Sequence, residues 1–193
     1  MQYKKEAVRE RILEAARTEY LERGFRGGNI SAIAERAGVP VGNLYRYFDG
    51  KNGVLDAIVK PAYEALPKLM SELQQVAILD SVTLSQTMPL LSNGLLKFFD
   101  AFGDDILILM DCCDGTRYED FFEDITREVA VVICHKLYPS GADERNTKFA
   151  DVVSKAFCGS LFDVLRMNLN HEQKQEMVEK LLKFYFYEVD KRK

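Results

Sequence analysis

The chain has 193 residues, 47% of them hydrophobic and 29% charged, with a net charge of −4, so it can bury the core of one domain or of two intimate ones and is no nonspecific nucleic-acid coat. No run approaches the ~18 apolar residues of a membrane helix, and the opening MQYKKEAVRE is charged rather than leader-like, which predicts a cytoplasmic protein without a membrane partner. The charge is uneven: residues 1–52 hold ten Lys/Arg against seven Asp/Glu, a net +3, and the rest sixteen against twenty-three, a net −7, as expected if one end meets a polyanion.

In chain order, Ile12, Leu13, Ala16, Tyr20 and Leu21 form the apolar stripe of a first helix of roughly five turns, stopped at Gly24 with Phe25 folding back onto the core. Asn29 caps ISAIAERA, whose Ile30, Ile33, Ala34 and Ala37 share a face, and Gly38 ends that helix. Pro40 is expected at the first position of a short third helix running to about Phe48-Asp49-Gly50. Lys51-Asn52-Gly53 opens a fourth, with Val54, Leu55, Ile58 and Val59 inward, which Pro61 and Pro67 are expected to kink or divide. SVTLSQTMPLLSNG, residues 81–94, reads as an irregular joint; LLKFFDAF and DDILILMDCC follow, the second apolar enough for a central helix. Thr116 is expected to cap a helix from about Arg117 to Leu137, PSGADERN to be a loop, and two helices, near 146–168 and 171–190, to close an all-α fold.

A helix, a glycine-containing turn and a second short helix stacked on a supporting first helix make a helix-turn-helix arrangement, whose second short helix enters the DNA major groove. Gly42 would let the backbone approach closely, and Asn43 and Arg46 carry donors able to read base edges. Tyr45, Tyr47 and Lys51 can reach phosphates, and Asn29, Ile30 and Ser31 form a helix start suited to another. The same AGVPVG is also compatible with a plain turn between core helices.

No nucleophile elbow, zinc-protease motif, phosphate loop or Cys/His/Asp set is present, and His135 and His171 stand alone, so the expectation is a non-enzyme. Cys112, Cys113, Cys134 and Cys158 lack metal-ligand spacing, which leaves neither a metal site nor a cofactor to expect; only the vicinal pair Cys112-Cys113 invites a redox reading.

IAERAGVPVGNLYRYFDGKNGVLDAIV resembles the DNA-binding head of the TetR/AcrR family of bacterial transcription regulators. Ile33-Ala34, Ala37-Gly38-Val39, Gly42, Leu44-Tyr45, Tyr47-Phe48, Lys51 and Leu55 stand in register with that family's pattern, over about residues 10–60. Asn29 takes the place of the usual Thr/Ser cap, and Pro40-Val41 that of Ser plus a polar or basic residue; Val41 suits a thymine methyl. The resemblance implies a helix-turn-helix DNA-binding domain, 1–50, on a helical ligand-binding and dimerisation domain, 51–193. It implies a homodimer on a palindromic duplex, commonly a repressor, released by a small-molecule effector of unknown identity.

Apolar stripes in the last two helices support a dimer seam, with Phe157, Leu161, Val164, Val178, Leu181, Leu182 and Tyr185 as candidates. Small Ala156, Gly159 and Ser160 beside them would let another helix approach. Tyr63, Phe98, Phe102, Met110, Asp111, Cys113, Tyr118, Phe122 and Phe162 are candidates for an effector pocket, a small hydrophobic or, through Asp111, cationic molecule being its expected occupant. The alternative keeps the DNA-binding head and gives its control to a partner protein or to cysteine oxidation.

Overall fold

The computed structural model describes residues 2–78 and 84–186, and every regular element among them is a helix. In order these are α1 (Gln2–Gly27), α2 (Ile30–Arg36), α3 (Val41–Leu44), α4 (Gly50–Ile78), α5 (Leu84–Asp111), α6 (Phe121–Leu137), α7 (Glu144–Arg166) and α8 (His171–Phe186). The expected all-α plan, a helix-turn-helix head followed by a helical body, is the one observed. The chain divides into two compact units: residues up to Ala65 together with Asp104–Phe121, and Leu66–Gly103 together with the chain from Phe122 onward.

In the first unit Ile12, Ala16 and Tyr20 of α1, Ile33 of α2, Leu44 of α3 and Val54, Leu55 and Ile58 of α4 are buried together with Ile106, Ile108 and Leu109 of α5. Gly24, at φ 67 and ψ 170, leaves the helical region for one that glycine alone occupies cheaply, so the regular turns of α1 stop there. Phe25, freed from the helical ladder, donates its amide to the Cys112 carbonyl at 2.8 Å. Arg17 forks onto Asp105, Nε to Oδ1 at 2.6 Å and Nη2 to Oδ2 at 3.2 Å, joining α1 to α5. The irregular stretch after α5 is fastened to α4 through Tyr118, whose hydroxyl donates to Asp56 at 3.0 Å and accepts from Arg117 at 2.7 Å.

In the second unit α7 packs on α8, and Phe157, Leu161, Val164 and Leu165 are buried with Val178 and Leu182. Phe157 meets Tyr185 and Phe186 edge-on, with centroids 5.4 and 4.8 Å apart. Ala130, Ile133 and Leu137 of α6 form a further buried cluster with Ala150 of α7.

Four expectations are corrected. Pro61 and Pro67 do not divide α4, which runs from Gly50 to Ile78 through both. Each proline removes one amide donor, while Val59 and Ala62 in the first unit and Leu69 and Met70 in the second stay buried. Residues 84–94 are no joint but the first turns of α5, which continues through Pro89 to take in both LLKFFDAF and DDILILMD; residues 81–83 lie outside the described ones. Helix α6 begins at Phe121, not near Arg117: the Thr116 hydroxyl donates to the Cys113 carbonyl at 2.7 Å and accepts the Tyr118 amide at 3.1 Å, closing a turn instead of capping a helix. Asp143 caps α7 by accepting the Asn146 amide at 2.8 Å, so that helix starts inside the expected loop. The last helix is observed to Phe186, and residues 187–190 lie outside the described ones.

A Cβ at Gly24 would meet nothing within 4 Å, so Gly24→Ala isolates the backbone cost. It should lower stability by about 1–3 kcal/mol, read as a fall in the urea midpoint. An unchanged midpoint would mean that the corner is unstrained.

Candidate nucleic-acid interface

The site starts from how α2 begins and ends. Asn29 sits in extended backbone as the cap and its Oδ1 accepts the Ser31 amide at 2.8 Å, the capping role expected of it. Its own amide is not exposed for a phosphate: it donates to Oε1 of Glu19 at 3.2 Å, and Glu19 is buried. At the other end Gly38, with φ 65, allows the Val39 amide to reach the Ala34 carbonyl and the Gly38 amide the Glu35 carbonyl, both at 3.0 Å, which is a Schellman closure. Pro40 has ψ 141 and is the cap of α3, so the helix starts one residue later than expected, at Val41.

Regular helix lasts only from Val41 to Leu44; the expected extension to Phe48-Asp49-Gly50 is a tighter turn. There the amides of Arg46 and Tyr47 bond to the carbonyls three residues back, at 3.1 and 3.0 Å. Burial of Leu44 and Phe48 pins both ends of this turn to the core. Between and before those anchors, Val41 is 38% and Tyr45 60% exposed. Gly42, Arg46 and Ser31 are exposed as well, and Asn43 and Tyr47 are half-buried. Gly42 is helical and has an ordinary negative φ, and a Cβ built there meets nothing within 4 Å.

Four cations of the head are neutralised within the first unit. Arg9 pairs with Glu6 and Glu10, Arg17 with Asp105 and Glu14, Arg23 with Glu19, and Arg36 with Glu22 at 2.9 Å. Among the described residues of the head Lys5, Arg11, Arg26 and Arg46 are exposed and pair with no carboxylate. Lys51 is half-buried. Its Nζ lies 4.5 Å from the Phe25 ring centroid and donates to the Arg26 carbonyl at 3.2 Å, and burial pulls its pKa below the usual lysine value. The Tyr20 hydroxyl donates to the Lys51 carbonyl at 3.1 Å, so this residue braces the corner between α1 and α4.

Residues 12–58 match the family model for bacterial regulatory proteins of the tetR family. The helix-turn-helix head is thus similar to that of the tetR family. It is 27% identical over 118 residues to the HTH-type transcriptional regulator UidR of Escherichia coli K12, a match covering 61% of this chain and 56% of that one. It is 38% identical over 56 residues to the HTH-type transcriptional repressor KstR2 of Rhodococcus jostii, covering 29% and 28% of the two chains. The matched region thus spans little more than half of UidR and under a third of KstR2. A TerR/AcrR-family regulator from Aquifex aeolicus has the same fold, with TM-score 0.60 at 21% identity over 93% of this chain and 99% of that one.

The candidate pocket residues fall into two groups. Tyr63, Met110, Asp111, Cys113 and Tyr118 belong to the first unit, where Tyr63 meets Tyr118 edge-on at 5.2 Å and Asp111 is exposed. Phe98, Phe102, Phe122 and Phe162 belong to the second, as two ring pairs at 5.1 and 6.3 Å. Of the candidate dimer residues, Phe157, Leu161, Val164, Val178 and Leu182 are covered by the protomer's own α7–α8 packing, and Leu181 and Tyr185 are half-buried. The apolar surface these helices leave exposed is instead Phe149, Val152 and Ala156, spaced along one face of α7, with Phe184 on α8. Ser160, one turn beyond Ala156, touches the Tyr185 hydroxyl at 3.1 Å.

Two residues escaped the sequence reading: Arg11, one of many cations by composition, and Glu19. A signal for Glu19 existed, since a carboxylate seven residues after Ile12 and three after Ala16 falls inside the apolar stripe of its own helix.

Burial pushes the Cys113 and Cys158 thiols up to about 12 and raises those of Cys112 and Cys134. The folded state therefore holds these thiol protons more tightly than the unfolded one. That contribution to stability is complete below the ordinary thiol value of 9.0 and is lost as pH climbs toward about 12. At pH 8 a colorimetric disulfide reagent should label the native protein slowly and all four thiols quickly in denaturant. Rapid native labelling at Cys112 or Cys113 would contradict the burial.

Proposed function

We propose that the chain is a DNA-binding transcriptional regulator whose α3 and following turn read the major groove. The observation that carries this reading is Gly42. A glycine inside a helix costs roughly 0.5–1 kcal/mol relative to alanine, and here the fold itself does not require it, since its side-chain position is open. A surface that must approach closely explains the glycine, and Val41, Asn43, Tyr45, Arg46 and Tyr47 surround it with base-reading and phosphate-binding chemistry. Lys51 has donors to spare beyond its bond to Arg26, which suits a phosphate beside the brace, and Ser31 offers a hydroxyl to another.

On this reading the protein acts as a homodimer on a palindromic operator, its two reading segments about 34–36 Å apart, in successive major grooves. The face of Phe149, Val152 and Ala156 with Phe184 is the surface for the second copy, since an apolar stripe of this kind needs cover. Repression is the expected sense, as in the name of KstR2. A small hydrophobic effector, held by aromatic side chains of the body, would release the operator by preferring a conformation with another spacing. The alternative of cysteine oxidation loses ground to the raised thiol pKa values.

A gel-shift series over the DNA upstream of the protein's own gene, repeated with compounds from a thermal-shift screen, tests the reading as a whole. Gly42→Ala should leave the protein as stable as before or more stable by up to about 1 kcal/mol, yet weaken binding to the shifted duplex at least tenfold. Undiminished binding would remove the close approach. Arg46→Ala and Asn43→Ala should each cost about 1–3 kcal/mol of discrimination between operator and scrambled duplex, with the dimer intact by sedimentation. Unchanged discrimination in both would move the reading surface elsewhere.

A further inference from the structure

DNA reading as proposed makes no use of one buried ionisable group of the head, the Glu19 carboxylate, which is 1% exposed. A carboxylate taken out of water is costly unless hydrogen bonds and opposite charge replace its hydration. Glu19 has both: Oε1 accepts the Asn29 amide at 3.2 Å, and Arg23 and Arg36 stand 3.7 and 3.9 Å from its two oxygens.

The amide it accepts is that of the residue capping α2. In a capping box, the third residue of a helix sends a Glu or Gln side chain back to the cap residue's amide, while the cap's own side chain satisfies an amide inside the first turn. Here the third residue is Ala32, which has no such side chain. Glu19 supplies the missing acceptor from α1, while the Asn29 side chain serves Ser31 in the usual way. Its negative charge also faces the positive end of the α2 dipole. At the other end of α2, Arg36 is approached by Glu19 and forks onto Glu22, with bonds of 3.2 and 2.9 Å. Both ends of a seven-residue helix, too short to be stable alone, are thus tied to neighbouring turns of α1.

We propose that Glu19 is a positioning residue for DNA reading: its buried carboxylate completes the cap of α2 from outside that helix and so holds α2, the turn after it and α3 in fixed register on α1. The proposal rests on the DNA-binding reading above. It deepens that reading by assigning a determinant of operator preference to a side chain that touches no DNA.

The test uses the full chain as wild type and as Glu19→Gln and Glu19→Leu. Gln keeps an acceptor for the Asn29 amide, whereas Leu fills similar volume with none. One readout is amide hydrogen exchange at Asn29 and along α2, with α7 and α8 as internal reference; the other is the affinity ratio between a duplex enriched by in vitro selection and its scrambled version. Glu19→Leu should speed exchange at Asn29 and in α2 about tenfold or more and shrink the ratio about tenfold, with α7 and α8 exchange unchanged; Glu19→Gln should keep both within about twofold of wild type. Wild-type exchange in the Leu variant overturns the proposal, as does faster exchange with an unchanged ratio, or equal damage by Gln and Leu. If the wild type enriches no duplex, the DNA-binding reading falls, and the exchange data still decide whether Glu19 holds α2.

Discussion

Between Arg23 and Asn29 the first helix gives up its axis, and the amide of Phe25, released from the helical ladder, is taken by the carbonyl of Cys112. Much of the first unit depends on this exchange of partners. It brings a segment from the middle of the sequence against the head, where the Arg17–Asp105 fork and the Tyr118–Asp56 bond hold it at two further points. It also sets Phe25 under the Lys51 ammonium, so that α4 starts from the same corner from which α2 departs. A buried amide without a partner costs about 1–3 kcal/mol, so a chain that breaks its helix here must bring an acceptor to the break.

Apart from the extent of α3, the head was legible because its boundaries have local chemical causes. Gly24 and Gly38 stop helices through positive φ, Asn29 caps through its side chain, and Leu44 and Phe48 return to the core one turn apart. The stripes that predict its core are short and one-sided, and the residues they name are buried except Leu21, which is exposed, and Ile30, which is half-buried. The body was less legible for physical reasons. A proline is weighed locally as a missing donor, but burial on both sides of Pro61 and Pro67 outweighs that loss. The hydroxyl residues of 84–94 look like joint material, yet α5 runs through them, with Met88, Leu95 and Leu96 buried. Periodicity in α7 and α8 reveals how much surface needs cover and nothing about which chain covers it. Phe157 and Val178 turn inward, while Phe149 and Val152 stay exposed.

Charge was the most misleading clue. The net +3 of the first 52 residues suggests a positive field over the head, but local carboxylates answer four of its cations. Among the described residues of the head, Arg46 in the turn after α3 and Lys5, Arg11 and Arg26 on α1 stay exposed and pair with no carboxylate. The buried Glu19 belongs to the same pattern, an anion used inside the fold where the sequence suggested that a phosphate would sit.

The tie between Phe25 and Cys112 is made by main chain on both sides. Point changes at Cys112 alter the thiol and leave the carbonyl in place, so the attachment tolerates drift in side-chain chemistry. It does not tolerate a change of length. Adding or deleting a residue between Asp105, the partner of Arg17, and Cys112 would rotate one anchor away from the other by about 100° on an α-helix. The number of residues in that stretch, more than their identity, is therefore what this fold has to keep.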